Sequence, residues 1–232
     1  MMEVDNVEFD EMAENLDDLV KEGLGAFAKY RETMVEYKAE YLKYLLPYEP
    51  KAILDFGCGS GLSTPYLVKY FPCAKIYGCD VSGNSINEAG KKHPDCSFSI
   101  IKNCEDLEQY RGTIDCVFIS CVLHHIHPDE HEKWMRGIQN ILERENYLVI
   151  FEMNMLNPLS RNFVKKTPVD RNAIMLKPSY CQKLIKKTFR DLSFVKIRYS
   201  YFFPWRNKFL VGLERCLAWF PLGAQYIVVA KK

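Results

Sequence analysis

A three-layer α/β sandwich around a mostly parallel, doubly wound sheet is the fold this sequence predicts, and three observations predict it. Between residues 52 and 151, short apolar runs alternate with segments of helical period, the pattern of strands buried on both faces and joined by crossover helices. The first run ends in a glycine-rich turn that opens into a helix, at the end of the sheet where open α/β folds bind ligands. The chain has 232 residues, 48% hydrophobic and 26% charged, which supplies one sizeable core and excludes intrinsic disorder.

Two helices precede the sheet and form an N-terminal helical cap over residues 1–50. Phe9–Glu22 is acidic and amphipathic and is closed by Gly23 and Gly25. Ala26–Leu46 carries Phe27, Tyr30, Met34, Tyr37, Tyr41 and Leu45 on one stripe, and Pro47 and Pro50 end it. The core, residues 51–153, reads as strands Ala52–Phe56, Lys75–Cys79, Ser97–Ile101, Ile114–Ser120 and Tyr147–Phe151. Helices Leu62–Tyr70, Asn84–Lys92, Glu105–Tyr110 and Glu130–Leu142 lie between them. Residues 154–232 are a C-terminal α/β elaboration: a polar excursion Asn154–Pro178, a helix Ser179–Phe189, a strand Phe194–Phe203, an aromatic amphipathic helix Trp205–Trp219 and a last strand Tyr226–Ala230. With no repeat, low-complexity tract or linker, residues 1–232 read as a single domain.

The net charge of +1 hides an asymmetry: −8 over residues 1–50, −4 over 51–155 and +13 over 156–232. The two ends either neutralise each other over one face or leave the basic third free for an anionic, phosphate-bearing molecule. No apolar run approaches the roughly 20 residues of a membrane helix, and the acidic N-terminus lacks the pattern of a secretory signal. The expectation is a soluble cytoplasmic protein. Nine scattered cysteines without a C-x-x-C pair read as small, mostly buried residues in a reducing compartment.

The segment ILDFGCGSG, Ile53–Gly61, carries the most chemistry. Gly57, Gly59 and Gly61 let the backbone turn sharply and approach a ligand closely. Leu62 stands where a dinucleotide pyrophosphate site wants a further glycine, and the Asp55 carboxylate repels a pyrophosphate but suits an ammonium group. Asp80 ends the second strand, where an acid grips a ribose diol. A ligand with both an amino-acid end and a ribose is S-adenosylmethionine.

On these residues the sequence resembles the class I S-adenosylmethionine-dependent methyltransferases, in particular the small-molecule branch called type 11, over Phe9 to Asn154. The resemblance implies a Rossmann-like methyltransferase fold, S-adenosylmethionine as cofactor and S-adenosylhomocysteine as product. It implies that Asp55, Phe56, Gly57, Cys58, Gly59 and Gly61 wrap the methionine moiety and that Asp80 and Val81 hold the ribose. It places Asn103, Cys104 and Glu105 beside the adenine, with Asn103 where many members carry Asp, and Ile119–Ile126, including Ser120, under the cofactor. Residues 151–164 and 221–232 look like a bacterial subgroup linked with polysaccharide or glycolipid assembly.

Methyl transfer from a sulfonium needs alignment and exclusion of water, and an alcohol acceptor also needs a base. His124 and His125 follow the fourth strand; His125 is the favoured base, with a reference value of about 6.5. Packing, or no base at all, is the alternative. His127 and His131 have a spacing that could share a metal, but Pro128 puts His127 in a turn, so no metal site is predicted. Tyr30, Arg31 and Tyr37 read either as a lid over the cofactor or as a packed face, and Glu152 and Asn154 as acceptor contacts. Residues 205–220 read either as a helix packed on the sheet or as a peripheral membrane contact.

The expected activity is O-methylation of a small or lipid/phosphate-linked acceptor. Nucleic-acid methylation is disfavoured, because the basic residues are diluted among apolar ones and no RNA-binding module precedes the fold. A non-catalytic cofactor-binding or scaffold protein is the remaining alternative. The sequence is silent on oligomeric state.

Overall fold

The computed structural model describes residues 16–203, 205 and 207–232. Its centre is a seven-stranded sheet in the order β3-β2-β1-β4-β5-β7-β6. The strands are β1 Ala52–Phe56, β2 Lys75–Asp80, β3 Ser97–Ile100, β4 Cys116–Ser120, β5 Tyr147–Met153, β6 Phe194–Ser200 and β7 Gln225–Lys231. The first five run parallel, and β7 enters antiparallel between β5 and β6. The order reverses between β1 and β4, which opens a crevice at their C-terminal ends.

Alternation along the strands divides the core into two layers. Leu54, Phe56, Val117, Ile119, Leu148 and Ile150 face one side, against Trp134, Ile138 and Ile141 of α5 (His131–Ile141) and Ile185 of α7 (Pro178–Thr188). Ile53, Phe118, Val149 and Phe151 face the other, against Tyr37, Tyr41 and Leu42 of α2 (Arg31–Leu45) and Leu67 of α3 (Thr64–Tyr70). Each such buried side chain contributes roughly 1.5–3 kcal/mol. These layers are the predicted three-layer α/β sandwich.

Before α2 come α1, Leu16–Leu24, and a 3₁₀ turn, Gly25–Tyr30. The earlier part of the helix expected over Phe9–Glu22 lies outside the described residues, as does Arg206. The remaining helices are α4, Gly83–Lys92, α6, Pro158–Lys166, and α8, Lys208–Cys216. Helix α6 corrects the expected irregular excursion. Asn157 caps it, accepting the N–H groups of Leu159 and Ser160, and Pro158 occupies its first position. The segments 151–164 and 221–232 interlock: Asn154 Nδ2 donates to Pro221 O and Gly223 O, Asn157 Nδ2 to Leu222 O, and Ser160 Oγ to Ala224 O. Among the described residues no helix is long and apolar enough to cross a membrane.

Candidate active site

Above the C-terminal ends of β1, β2 and β4 lies a cleft of about 880 Å³, at the upper end of the range for small-molecule sites. Its floor is the turn after β1. Gly57, Gly59 and Gly61 have φ of +74°, +51° and +78°, a left-handed backbone that side chains resist. A β-carbon on Gly57 would also lie 2.5 Å from Val122 Cγ2. Asp80 ties this turn to β2: Oδ2 accepts the Gly59 N–H at 2.8 Å and Oδ1 the Ser82 N–H at 3.0 Å.

Asp55 is buried, and among the described residues its Oδ2 has no hydrogen-bond partner. Burial, then the charge of Asp80, push its carboxyl up to about 7, with Lys38 opposing. An orphaned carboxylate oxygen in a ligand cleft calls for a cation. The Asp80 carboxylate is a pure acceptor, the chemistry a ribose diol needs. Val81, Ile101 and Trp134 add apolar wall. An ammonium, a diol and a flat ring are what these groups demand, and S-adenosylmethionine carries all three.

Asp55, Phe56, Gly57, Cys58, Gly59, Asp80, Val81, Ser120, Arg31, His124 and His125 all line the cleft. Gly61, Asn103, Cys104, Glu105 and Tyr30 do not. Gly61 turns toward His93. Asn103 is spent as a cap on the 3₁₀ turn Cys104–Tyr110, its side chain accepting the N–H groups of Glu105 and Asp106. Cys104 packs against Gly137, Glu105 pairs with Lys133 at 3.7 Å, and the Tyr30 ring takes the Lys29 ammonium. Tyr37 is packed against Tyr41 and Tyr201, and Asn154 clamps the 221–223 turn, so neither is a cleft contact.

Lys38 is the cleft residue that the sequence hid. It projects from α2 toward the sheet, and its Nζ donates to Ser120 Oγ at 2.7 Å and Cys121 Sγ at 3.4 Å. Cys121 and Tyr201, both on the cleft wall, adopt φ of +59° and +64°, local strain of the kind that collects at functional sites.

The opposite end of the cleft holds the two histidines. His124 Nδ1 donates to Glu152 Oε2 at 2.5 Å, and Glu152 Oε1 accepts the Leu123 N–H. The Nε2 atoms of His124 and His125 lie 3.5 and 3.6 Å from Asp170 Oδ1, which the turn after α6 delivers. Burial disfavours a charged His124, but Glu152 and Asp170 outweigh it and hold the imidazole protonated well above its usual range. Burial and then the His124 charge pull His125 down to about 4, below the reference value of about 6.5. His131 is structural, bonded through its two nitrogens to Tyr180 Oη and Leu123 O, while exposed His127 caps a turn.

Residues 53–145 match the family model described as a methyltransferase domain. Over these residues the chain is similar to methyltransferases. Trans-aconitate 2-methyltransferase of Afipia carboxidovorans is 28% identical over 117 residues, 50% of this chain and 44% of that protein. This chain thus spans less than half the length of that relative. A SAM-dependent methyltransferase from Archaeoglobus fulgidus superposes with a TM-score of 0.64 at 19% identity, covering 88% of this chain and 96% of the other. Phosphoethanolamine N-methyltransferase 2 of Haemonchus contortus, solved with phosphomonomethylethanolamine and S-adenosylhomocysteine, superposes at 0.59 and 16% identity, covering 84% and 52%. This chain shares its fold with both of these solved structures.

Proposed function

We propose that this protein transfers a methyl group from S-adenosylmethionine to an oxygen of a small or lipid/phosphate-linked acceptor. The observation that carries this reading is a single cavity reaching from the Asp55–Asp80 floor to the His124–His125–Asp170 cluster. When bound, S-adenosylmethionine supplies a sulfonium methyl with a good leaving group. The chain's own part is to hold the cofactor through Asp55, Asp80 and the apolar wall, to shut out water beneath α1 and α2, and to orient the acceptor. Because His125 is a weak base, the site suits an acceptor oxygen already anionic, such as a carboxylate or phosphate-bearing group. The acid named in the trans-aconitate relative agrees with that class, whereas the Haemonchus enzyme is named for transfer to nitrogen and shares the fold alone.

The lipid-linked part of the proposal rests on α8, which is turned inside out. Its Glu214 is buried, with Oε1 accepting the N–H groups of Phe202 and Phe203, while Phe209 is 77% exposed and Leu213 also faces solvent. Trp219, Phe220 and Leu222 continue the apolar surface, and the Asn157–Leu222 bond brings exposed Leu156 and Leu159 beside it. Leu159 also lines the cleft, so this surface reaches the cleft mouth. Exposed Arg161, Lys165 and Lys166 on α6 suit an anionic lipid surface, and the likeness of residues 151–164 and 221–232 to a glycolipid-assembly subgroup supports the same acceptor class.

Calorimetric titration with S-adenosylhomocysteine tests the cofactor half of the proposal, and detection of S-adenosylhomocysteine release across carboxylate, sugar-phosphate and lipid-phosphate acceptors tests the rest. Binding plus turnover on an anionic acceptor is expected. Folded protein giving no heat would sink the methyl-transfer reading, and binding without turnover would favour a scaffold.

A further inference from the structure

We propose that His124, His125 and Asp170 form a binding site for a divalent transition-metal ion at the acceptor end of the cleft. Each residue offers one ligand atom, and these atoms lie within 4.8 Å of one another. The two measured Nε2–Oδ1 separations are 3.5 and 3.6 Å. Tetrahedral zinc, with bonds of about 2.0–2.2 Å, sets its ligand atoms roughly 3.3–3.6 Å apart.

Three further features fit a metal. The other nitrogen of His124 is held by Glu152, itself anchored by the Leu123 N–H, which is the carboxylate–histidine arrangement that orients a ligating imidazole. Two carboxylates, Glu152 and Asp170, converge on His124; without a metal a proton on its imidazole meets part of their charge, and a 2+ ion bound at Nε2 would take that proton's place. The Ile174 N–H donates to His124 O at 2.8 Å, so the chain carrying Asp170 is pinned to the histidine turn. Imidazole with one carboxylate suits zinc, iron, cobalt or nickel, whereas magnesium and calcium prefer all-oxygen shells. All three residues line the cleft, so three protein ligands leave a coordination position open to it. On the methyl-transfer reading an acceptor oxygen takes that position; this role rests on that reading, and the site itself does not.

The test uses full-length, chelator-stripped protein in a Cys73→Ser/Cys216→Ser background, which removes the two exposed thiols. It is titrated with Co²⁺ by visible absorption, with Zn²⁺ as competitor. One equivalent per chain is expected, with d–d bands and no thiolate-to-metal charge-transfer band. Asp170→Asn and His125→Ala, with native circular dichroism, are each expected to lower affinity at least about tenfold, and Glu152→Gln about 10–100-fold. No saturable binding, a thiolate band, or binding that persists in both Asp170→Asn and His125→Ala overturns the proposal. S-adenosylhomocysteine titration of the same protein reports separately on the methyl-transfer reading.

Discussion

Gly23 of α1 lies so close to Thr167 that a β-carbon on the glycine would sit 2.0 Å from Thr167 Oγ1 and 2.9 Å from its Cα. Thr167 cannot yield readily, because it is buried and its hydroxyl donates to Phe163 O at 2.9 Å. This contact seats acidic α1 on basic α6 and the Asp170 turn, so the cap closes the histidine end of the cleft.

Gly23→Val should therefore unseat α1 while leaving the sheet intact. Faster proteolysis within residues 16–30 is expected, together with a several-fold loss of S-adenosylhomocysteine affinity and a nearly unchanged melt of the core. Unaltered proteolysis would show that the cap does not depend on this contact.

Asp55 makes stability and binding oppose each other. Its folded value of about 7 exceeds the unfolded reference of about 3.9, so the folded state binds more protons between these values. Stability then falls as pH rises through that window, by roughly 4 kcal/mol in total, and the penalty is fully present above it. Asp55→Asn should raise the melting temperature of ligand-free protein at pH 8, with little change at pH 4, and should weaken S-adenosylhomocysteine binding. In wild type that affinity should rise with pH up to about 7, because the cofactor ammonium displaces the Asp55 proton. Identical melts of mutant and wild type at both pH values would assign the titration elsewhere.

At Asp80 the two effects act together. The carboxylate receives two backbone N–H groups, so Asp80→Ala leaves both unpaired and loosens the glycine turn. The expected cost is about 1–3 kcal/mol in ligand-free stability, with at least a tenfold loss of cofactor affinity. Unchanged affinity, measured by titration, would mean that the ribose is held elsewhere.

What could be read from the sequence follows the range of the interactions involved. Asp55, Gly57, Gly59 and Asp80 lie within one strand–turn–strand unit, so local spacing alone brings them together on the cleft wall. Asn103, ahead of Glu105 and Asp106, also carries the signal of a helix-capping residue, and it caps the 3₁₀ turn that follows it. Helix α6 was overlooked even though Asn157-Pro158 is a helix-start signal, since the same pair also opens turns. Lys38 gave no local signal: a lysine in an amphipathic helix ordinarily faces water, and only the sheet beneath explains its burial. Asp170 meets the histidines through tertiary packing alone, so no short motif joins them.

The inverted face of α8 yields the last prediction. An amphipathic helix that buries Glu214 and exposes Phe209 and Leu213 leaves apolar area in water, which is unfavourable at roughly 25 cal/mol per Å² unless something covers it. Insertion into a lipid interface covers that area, and nearby Arg161, Lys165 and Lys166 add attraction to anionic headgroups. Co-sedimentation with vesicles containing an anionic phospholipid should therefore recover more protein than vesicles of neutral lipid. The difference should shrink as salt rises and screens the lysines. Phe209→Ser/Trp219→Ser should remove most of the binding without lowering the melting temperature, because both side chains are about three-quarters exposed, at 77% and 75%, and support no core. Equal recovery from neutral and anionic vesicles, or full binding by the double mutant, would detach this surface from lipid and with it the support α8 gives to a lipid-linked acceptor.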